Sequence, residues 1–220
     1  MREGIKVFIF TIFLLLLFSQ AEGRIRPYWE LRFSDIDKQS SEFSCGVAAL
    51  ATLFTYYYDI PIKEEEIIDE FFKKMMEEKR GISFLDMKAF ALSKGFVAQG
   101  YKLNFTGLVE MMKKNNLPII IHTKRVIQGK EELHFSLLIG MVDGYLVFKD
   151  TALGNMLIST DDFLSKWTGY ALIIRPTDEL KLVGTTEKIK KEKEEARGYV
   201  SRIYFYQNHP ERFYSTPAHF

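Results

Sequence analysis

The stretch "KQSSEFSCGVAALATLFTYYYDI" (residues 38–60) holds the one cysteine of the chain, Cys45. A polar run leads into it, and a block of small and apolar residues follows. Ala48, Ala49 and Ala51 are interspersed with Leu50, Leu53 and Phe54, which predicts a helix that neighbours approach closely on several sides and that is therefore central. Ser44 is the expected N-cap, and Pro61 with the residue before it ends the helix. A cysteine in the first turn faces the positive end of the helix dipole, which favours thiolate and lowers the pKa. Gly46 is expected to leave space beside the sulfur for a substrate backbone. The competing reading is a small buried hydrophobe.

The N-terminus bears on that choice. Arg2 and Lys6 precede an apolar core, Val7 to Phe18, and then "SQAEG", the order of a secretory signal peptide. Cleavage is expected after Ala21, with Gly23 the second choice, so residues 1–21 form the signal. The apolar core falls short of the ~20 residues a spanning helix needs, and a membrane is involved only if the segment stays uncleaved. The protein is thus expected to be exported, periplasmic or secreted. Exported proteins carry cysteines mostly as disulfide pairs, so a single one suggests an intermolecular bond or a thiol kept for its reactivity.

The remaining chain suits one well-packed domain, residues 24–176, followed by a charged helix and tail, residues 177–220. With 30 basic and 29 acidic residues, there is no electrostatic case for nucleic acid. No internal repeat and no phosphate-cradling glycine motif is present. "IKEEEIIDEFFKKMMEEK" reads as an amphipathic helix with Ile67, Ile68, Phe71, Phe72, Met75 and Met76 as its core stripe. "SFLDMKAFALSK" is a helix opened by a Ser83–Asp86 capping box. "GFVAQGYKL" is a strand, "NFTGLVEMMKKNN" a short helix and "LPIIIHTK" a buried strand. A polar connection, "RVIQGKEE", leads to the strand "LHFSLLIGMV", a "DG" hairpin turn and the returning strand "YLVFKD". "STDDFLSKW" gives a short helix and "GYALIIRP" a last strand. Helices dominate the first half and strands the second, which argues for an α+β domain. The stretch from Thr185 to Gln207 is expected to be a solvated helix, with docking through Tyr199, Ile203, Tyr204 and Tyr206 as the alternative.

Nucleophilic thiol chemistry needs an imidazole that can protonate the leaving amine. Of the four histidines, His209 and His219 lie in the tail, and His122 reads as a hydrogen-bonded strand residue. His134 opens a strand after a polar loop, where a ring can reach a cleft. Asp150 ends the following strand and is placed to hold the tautomer of His134. Gln39, six residues before Cys45, can join the Cys45 N–H in binding an oxyanion. Each of these has an ordinary structural explanation when taken alone.

Together, "QSSEFSCGVAALATL", "HFSLLIG" and "DTALG" resemble the bacteriocin-processing cysteine peptidases that cut after double-glycine leaders. The family's pattern is a glutamine, five residues, Cys-Gly, a histidine-led strand, and sixteen residues after that histidine an aspartate beginning "D-P-x-x-G". The matching positions are Gln39, Cys45, Gly46, His134, Phe135, Asp150 and Gly154, within a span from about Lys38 to Pro176. The resemblance implies a papain-like fold, with a helical N-terminal half packed on a C-terminal antiparallel sheet. It also implies catalytic roles for Cys45, His134, Asp150 and Gln39, and no metal or organic cofactor. Two positions depart from the pattern: Ser44 stands where transporter-fused members carry an acid, and Thr151 replaces the proline. With no transporter domain following, the chain looks like the stand-alone exported bacterial members. Some of these accompany functional-amyloid secretion, which implies a secreted amyloid or leader-bearing protein as substrate and a secretion system as partner. A docking module that does not cut, and a papain-like amidase acting on cell-wall peptides, are the alternatives.

One geometric expectation follows from strand alternation. A two-residue "DG" turn pairs Val142 with Tyr145, and a regular hairpin extended from there puts His134 and Asp150 on opposite faces. Bringing them together requires one extra residue, with Gly140 the expected bulge site.

Overall fold

The computed structural model describes residue 30 and residues 32–127 and 129–208. The expected signal peptide, His209 and His219 lie outside them. The described elements belong to the unit that begins at Arg32.

Helix α1, Cys45–Thr52, is buried at every residue, as its small side chains require. It continues as a π-helical turn, Leu53–Tyr57, so the single helix expected to run up to the residues before Pro61 changes its winding in the last turn. There the chain reverses, and the Thr55 hydroxyl holds both the N–H and the C=O of Ile62, at 3.0 and 2.8 Å. Ser44 is not the side-chain cap expected of it. Its hydroxyl instead exchanges 3.0 Å hydrogen bonds with the N–H and C=O of Ser41, fixing the turn that delivers Cys45.

Helix α2, Glu64–Glu78, packs through Ile67, Ile68, Phe71 and Met75. Phe72 and Met76 are exposed, so its apolar stripe is narrower than expected. Helix α3, Phe84–Ser93, opens with the Ser83–Asp86 capping box, an arrangement of the kind that contributes about 1 kcal/mol.

The strands are β1 (Val97–Lys102), β2 (Ile119–Ile127), β3 (Lys130–Val142), β4 (Tyr145–Asp150), β5 (Gly154–Ser159) and β6 (Trp167–Arg175). Helix α4, Phe105–Asn115, joins β1 to β2, and α5, Thr160–Lys166, joins β5 to β6. They form one antiparallel sheet in the order β1-β6-β2-β3-β4-β5. The polar segment expected as a connection is strand instead: β2 and β3 pair out to Ile127↔Lys130. β5 was not expected at all, because "GNMLIS" shows its strand character only when paired along β4.

Alternation along β2 sends Ile120 into one core, with α1, α2 and α3, and Ile119 and Ile121 into the other, with Leu108, Phe148 and Phe163. The final helix α6, Glu179–Asn208, is docked rather than solvated. Ile189 and Val200 are buried, and Thr185 donates to the Tyr57 carbonyl at 2.8 Å. Tyr57 donates to Glu192 at 2.9 Å, and Lys193 donates to Asn116 at 2.9 Å. Tyr199 is exposed, and the side chains of Ile203, Tyr204 and Tyr206 lie outside the described residues. Among the described residues no helix is long and apolar enough to cross a membrane.

Candidate active site

Cys45 opens α1, where backbone N–H groups have no intrahelical acceptor. Its side chain is buried, and the N–H groups of Phe135 and Gly46 point at the sulfur. Phe135 is available because β3 outruns β4: their pairing stops at Leu137↔Lys149, while pairing with β2 continues beyond it. The main chain around Phe135 is thereby open on one side, and the first turn of α1 takes that place.

Burial pushes the Cys45 thiol up, and Asp150 adds to this, against the two N–H groups and the Arg125 guanidinium. The expectation of a depressed pKa is therefore corrected, because removing an anion from water outweighs the two N–H groups and Arg125. The open space expected at Gly46 is also filled. A Cβ there would meet Met87 Cε at 2.5 Å, Ile82 Cγ1 at 3.1 Å and Phe135 Cδ2 at 3.2 Å. The missing side chain admits these neighbours, so the geometric motive for a substrate contact at Gly46 is lost.

His134 and Asp150 are both buried and meet directly, Nε2 to Oδ2, at 3.0 Å. The register shift that permits this lies between Leu138 and Gly140. The same Oδ2 accepts from the Ser136 hydroxyl at 2.8 Å and from the Arg125 guanidinium. Oδ1 accepts the N–H groups of Ala152 and Leu153, each at 2.9 Å. Burial pushes this carboxyl up, but the bonds to His134 and Arg125 prevail and hold it far below the ordinary range. Because a carboxylate only accepts, His134 carries its proton on Nε2 and keeps its lone pair on Nδ1. Burial lowers the His134 pKa; Asp150 opposes this, and Arg125, sharing the carboxylate, weakens that opposition. Burial thus disfavours the charged form of each group, the Cys45 thiolate and the His134 imidazolium. Among the described residues no hydrogen bond joins Nδ1 to the sulfur, a contact that tightens in many enzymes only with substrate bound.

Gln39 is strapped to the residue after Asp150. Its N–H donates to the Thr151 carbonyl at 3.0 Å, and the Thr151 hydroxyl donates to its Oε1 at 3.0 Å. Nε2 donates to the Ser41 carbonyl at 2.9 Å, leaving its second N–H for another acceptor. Three of the four positions singled out in the sequence are therefore linked, His134 to Asp150 directly and Gln39 through Thr151, while Cys45 lies beside Phe135, the residue that follows His134. Beside the thiol lies a cleft of about 660 Å³ whose wall includes Ile82, Phe84, His122, Phe135 and Tyr170. Among the described residues no cluster of His, Cys, Asp and Glu could hold a metal ion.

Three contributors were not foreseen. Ser136 lies two residues after His134 on the same face, a spacing that strand alternation alone could have flagged. Thr151 was visible only as a departure from the family pattern. Arg125 carries no local signal, because its place over Asp150 depends on how β2 and β3 pair.

A helix led by a thiol, packed on an antiparallel sheet that supplies a histidine and an acid, defines the papain-like cysteine peptidase fold. The chain belongs to the peptidase C39 family, whose model matches residues 34–179. It is 30% identical over 154 residues to a Pseudomonas fluorescens protein described as "Probable functional amyloid protease FapD", covering 69% of this chain and 65% of that one. The Pseudomonas aeruginosa protein of the same description is 31% identical with the same coverage. The chain thus spans just under two thirds of these relatives' length. Among solved structures, the peptidase domain of Streptococcus ComA, a bi-functional ABC transporter involved in quorum sensing, superposes with a TM-score of 0.53 at 24% identity, covering 64% of this chain and 98% of that domain. A double glycine motif protease from an AMS/PCAT transporter, in complex with the leader peptide, gives 0.51 at 28% identity, covering 64% and 91%.

Proposed function

We propose that the protein is an exported thiol endopeptidase that cuts a secreted or leader-bearing protein after small, Gly-Gly-like residues, as a component of a secretion or assembly system. The observation that carries this is the buried His134–Asp150 pair, set beside a lone thiol on the wall of an apolar cleft. Cys45 Sγ attacks the scissile carbonyl carbon while His134 Nδ1 takes the thiol proton. The same nitrogen then gives that proton to the leaving amine, and a thioester remains. Water, deprotonated by His134, attacks the thioester and releases the acid, and the proton returns to the thiolate. Asp150 holds the ring and offsets the charge of the imidazolium. The Cys45 N–H and the second Nε2–H of Gln39 hold the oxyanion.

Residues 24–176 carry this reaction, after a signal at 1–21 and before the appendage 177–220. The Gly-Gly preference draws support from the AMS/PCAT relative, a double glycine motif protease, and the amyloid-type substrate from the description of the FapD relatives. A module that only docks its partner has no use for an ionised acid aligned on an imidazole next to a thiol. The test is mass spectrometry of co-secreted proteins in cells carrying the native chain or Cys45→Ala. One defined cleavage that disappears with the thiol is expected; identical secreted species in both would overturn the proposal.

A further inference from the structure

The wall of the cleft that holds Cys45 also carries an imidazole, His122. Opposite it, β6 is irregular: Ile121 pairs with Ala171 and Thr123 with Trp167, so Thr168, Gly169 and Tyr170 stand against His122 alone. Gly169 takes a φ of 84°, which favours glycine. Bulges of this kind re-aim side chains beside active sites.

This one brings the Thr168 hydroxyl to 2.9 Å from the His122 carbonyl oxygen and 3.0 Å from His122 Nδ1. A hydroxyl has one proton to give, and a carbonyl oxygen can only accept. The proton therefore lies toward the carbonyl, and Thr168 Oγ1 accepts from Nδ1–H. That leaves Nε2 with the lone pair. The ring is held in place by aromatic neighbours, 4.9 Å from the Phe135 centroid and 6.1 Å from that of Phe84. Burial and the nearby His134 lower its pKa, which keeps it neutral and hence an acceptor.

We infer that His122 Nε2 is a substrate-binding group that accepts a main-chain N–H from the peptide segment lying across the cleft beside Cys45. The inference rests on the peptidase reading above. Between Ile82, Phe84 and Phe135, an oriented acceptor sets the register of an extended chain, because an N–H buried there without a partner is costly. The opposite tautomer would present a donor, which cannot pair with that N–H.

Two measurements test it. Nitrogen-15 NMR of the Cys45→Ala protein reads the tautomer: His122 is expected to carry its neutral-state proton on Nδ1, and a proton on Nε2 overturns the inference. The second uses acetyl-Leu-Gly-Gly chloromethyl ketone as probe, taking its rate of Cys45 alkylation as a ratio to that of iodoacetamide. His122→Phe keeps the aromatic stack without the acceptor and is expected to lower this ratio by about three- to tenfold. His122→Gln, whose Oε1 reaches the place of Nε2, is expected to recover part of the loss. N-methylation of one probe glycine should reproduce the loss in the native protein and add nothing in His122→Phe. An unchanged ratio in His122→Phe, with saturable labelling of the native protein, overturns the role of His122 alone. Labelling of the native protein by the peptide probe without saturation overturns the peptidase reading, and this inference with it.

Discussion

His134 Nε2 and Asp150 Oδ2 meet at 3.0 Å across a hairpin whose Asp143–Gly144 turn, extended regularly, would set them on opposite faces. Both turn residues take positive φ, 48° and 83°, the type I′ geometry that matches strand twist. Ile139 is the extra residue of β3 between Leu138↔Phe148 and Gly140↔Val147, and it brings the two faces into phase. Asp150→Asn keeps the shape but cannot hold the Nε2–H tautomer of His134 as a carboxylate does. Its turnover on a leader-type peptide is expected to fall by about 10²–10⁴ while remaining measurable. Full turnover would remove Asp150 from the reaction.

Arg125 and His134 share one carboxylate oxygen, so the guanidinium offsets the charge that would otherwise favour imidazolium. In Arg125→Gln that offset is gone and the His134 pKa rises. The ring then stays protonated to higher pH, and the acid limb of kcat/KM is expected to move upward. A pH–rate profile of the variant measures this; an acid limb that stays in place or moves downward contradicts it.

Cys45 has its thiol pushed up by burial, which disfavours the thiolate in the folded protein. Its alkylation by iodoacetamide is expected to keep rising beyond pH ~8.5, where an ordinary thiol is half ionised. A rate already at plateau at neutral pH would mean a preformed thiolate–imidazolium pair. The sign carries over to stability: with the folded pKa above the unfolded one, this contribution is full below the unfolded value and is lost as pH rises through the folded one.

Thr151 is fully buried and gives its hydroxyl to Gln39 Oε1, which directs the amide N–H groups away from itself. Thr151→Val removes that bond, and kcat is expected to drop by about three- to tenfold, the scale of one neutral hydrogen bond. KM should change little and Thr151→Ser should restore the rate, whereas a purely structural loss would lower stability without this split. Gln39→Ala, which removes the donor itself, should cost about 10²–10³ in kcat.

Ile189 anchors α6 against the core formed with α1 and α2. Truncating a fully buried isoleucine typically costs ~2–5 kcal/mol, and each kcal/mol lowers Tm by roughly 2–4 °C for a chain of this size. Ile189→Ala is therefore expected to lower Tm by about 4–20 °C in a thermal melt. A melt indistinguishable from that of the native chain would mean that α6 contributes no folding free energy.

What the sequence determined by itself is local. The Ser83–Asp86 cap, the Asp143–Gly144 turn and the helix start at Cys45 depend on residues a few positions apart. Even the need for an extra residue between His134 and Asp150 follows from strand parity, which is a count along the chain. The order of Gln39, Cys45, His134 and Asp150 was legible for the same reason. What only the tertiary structure decided depends on which distant segments come to lie together. Burial reverses the pKa shift expected of Cys45, Met87 fills the space expected at Gly46, and Arg125 reaches Asp150 through the pairing of β2 with β3. Thr168 selects the tautomer of His122 through a bulge on a strand forty-six residues away, and α6 docks through Ile189 and Val200. Desolvation, cross-strand register and cavity filling are properties of the packed chain, and no window of sequence contains the neighbours that set them.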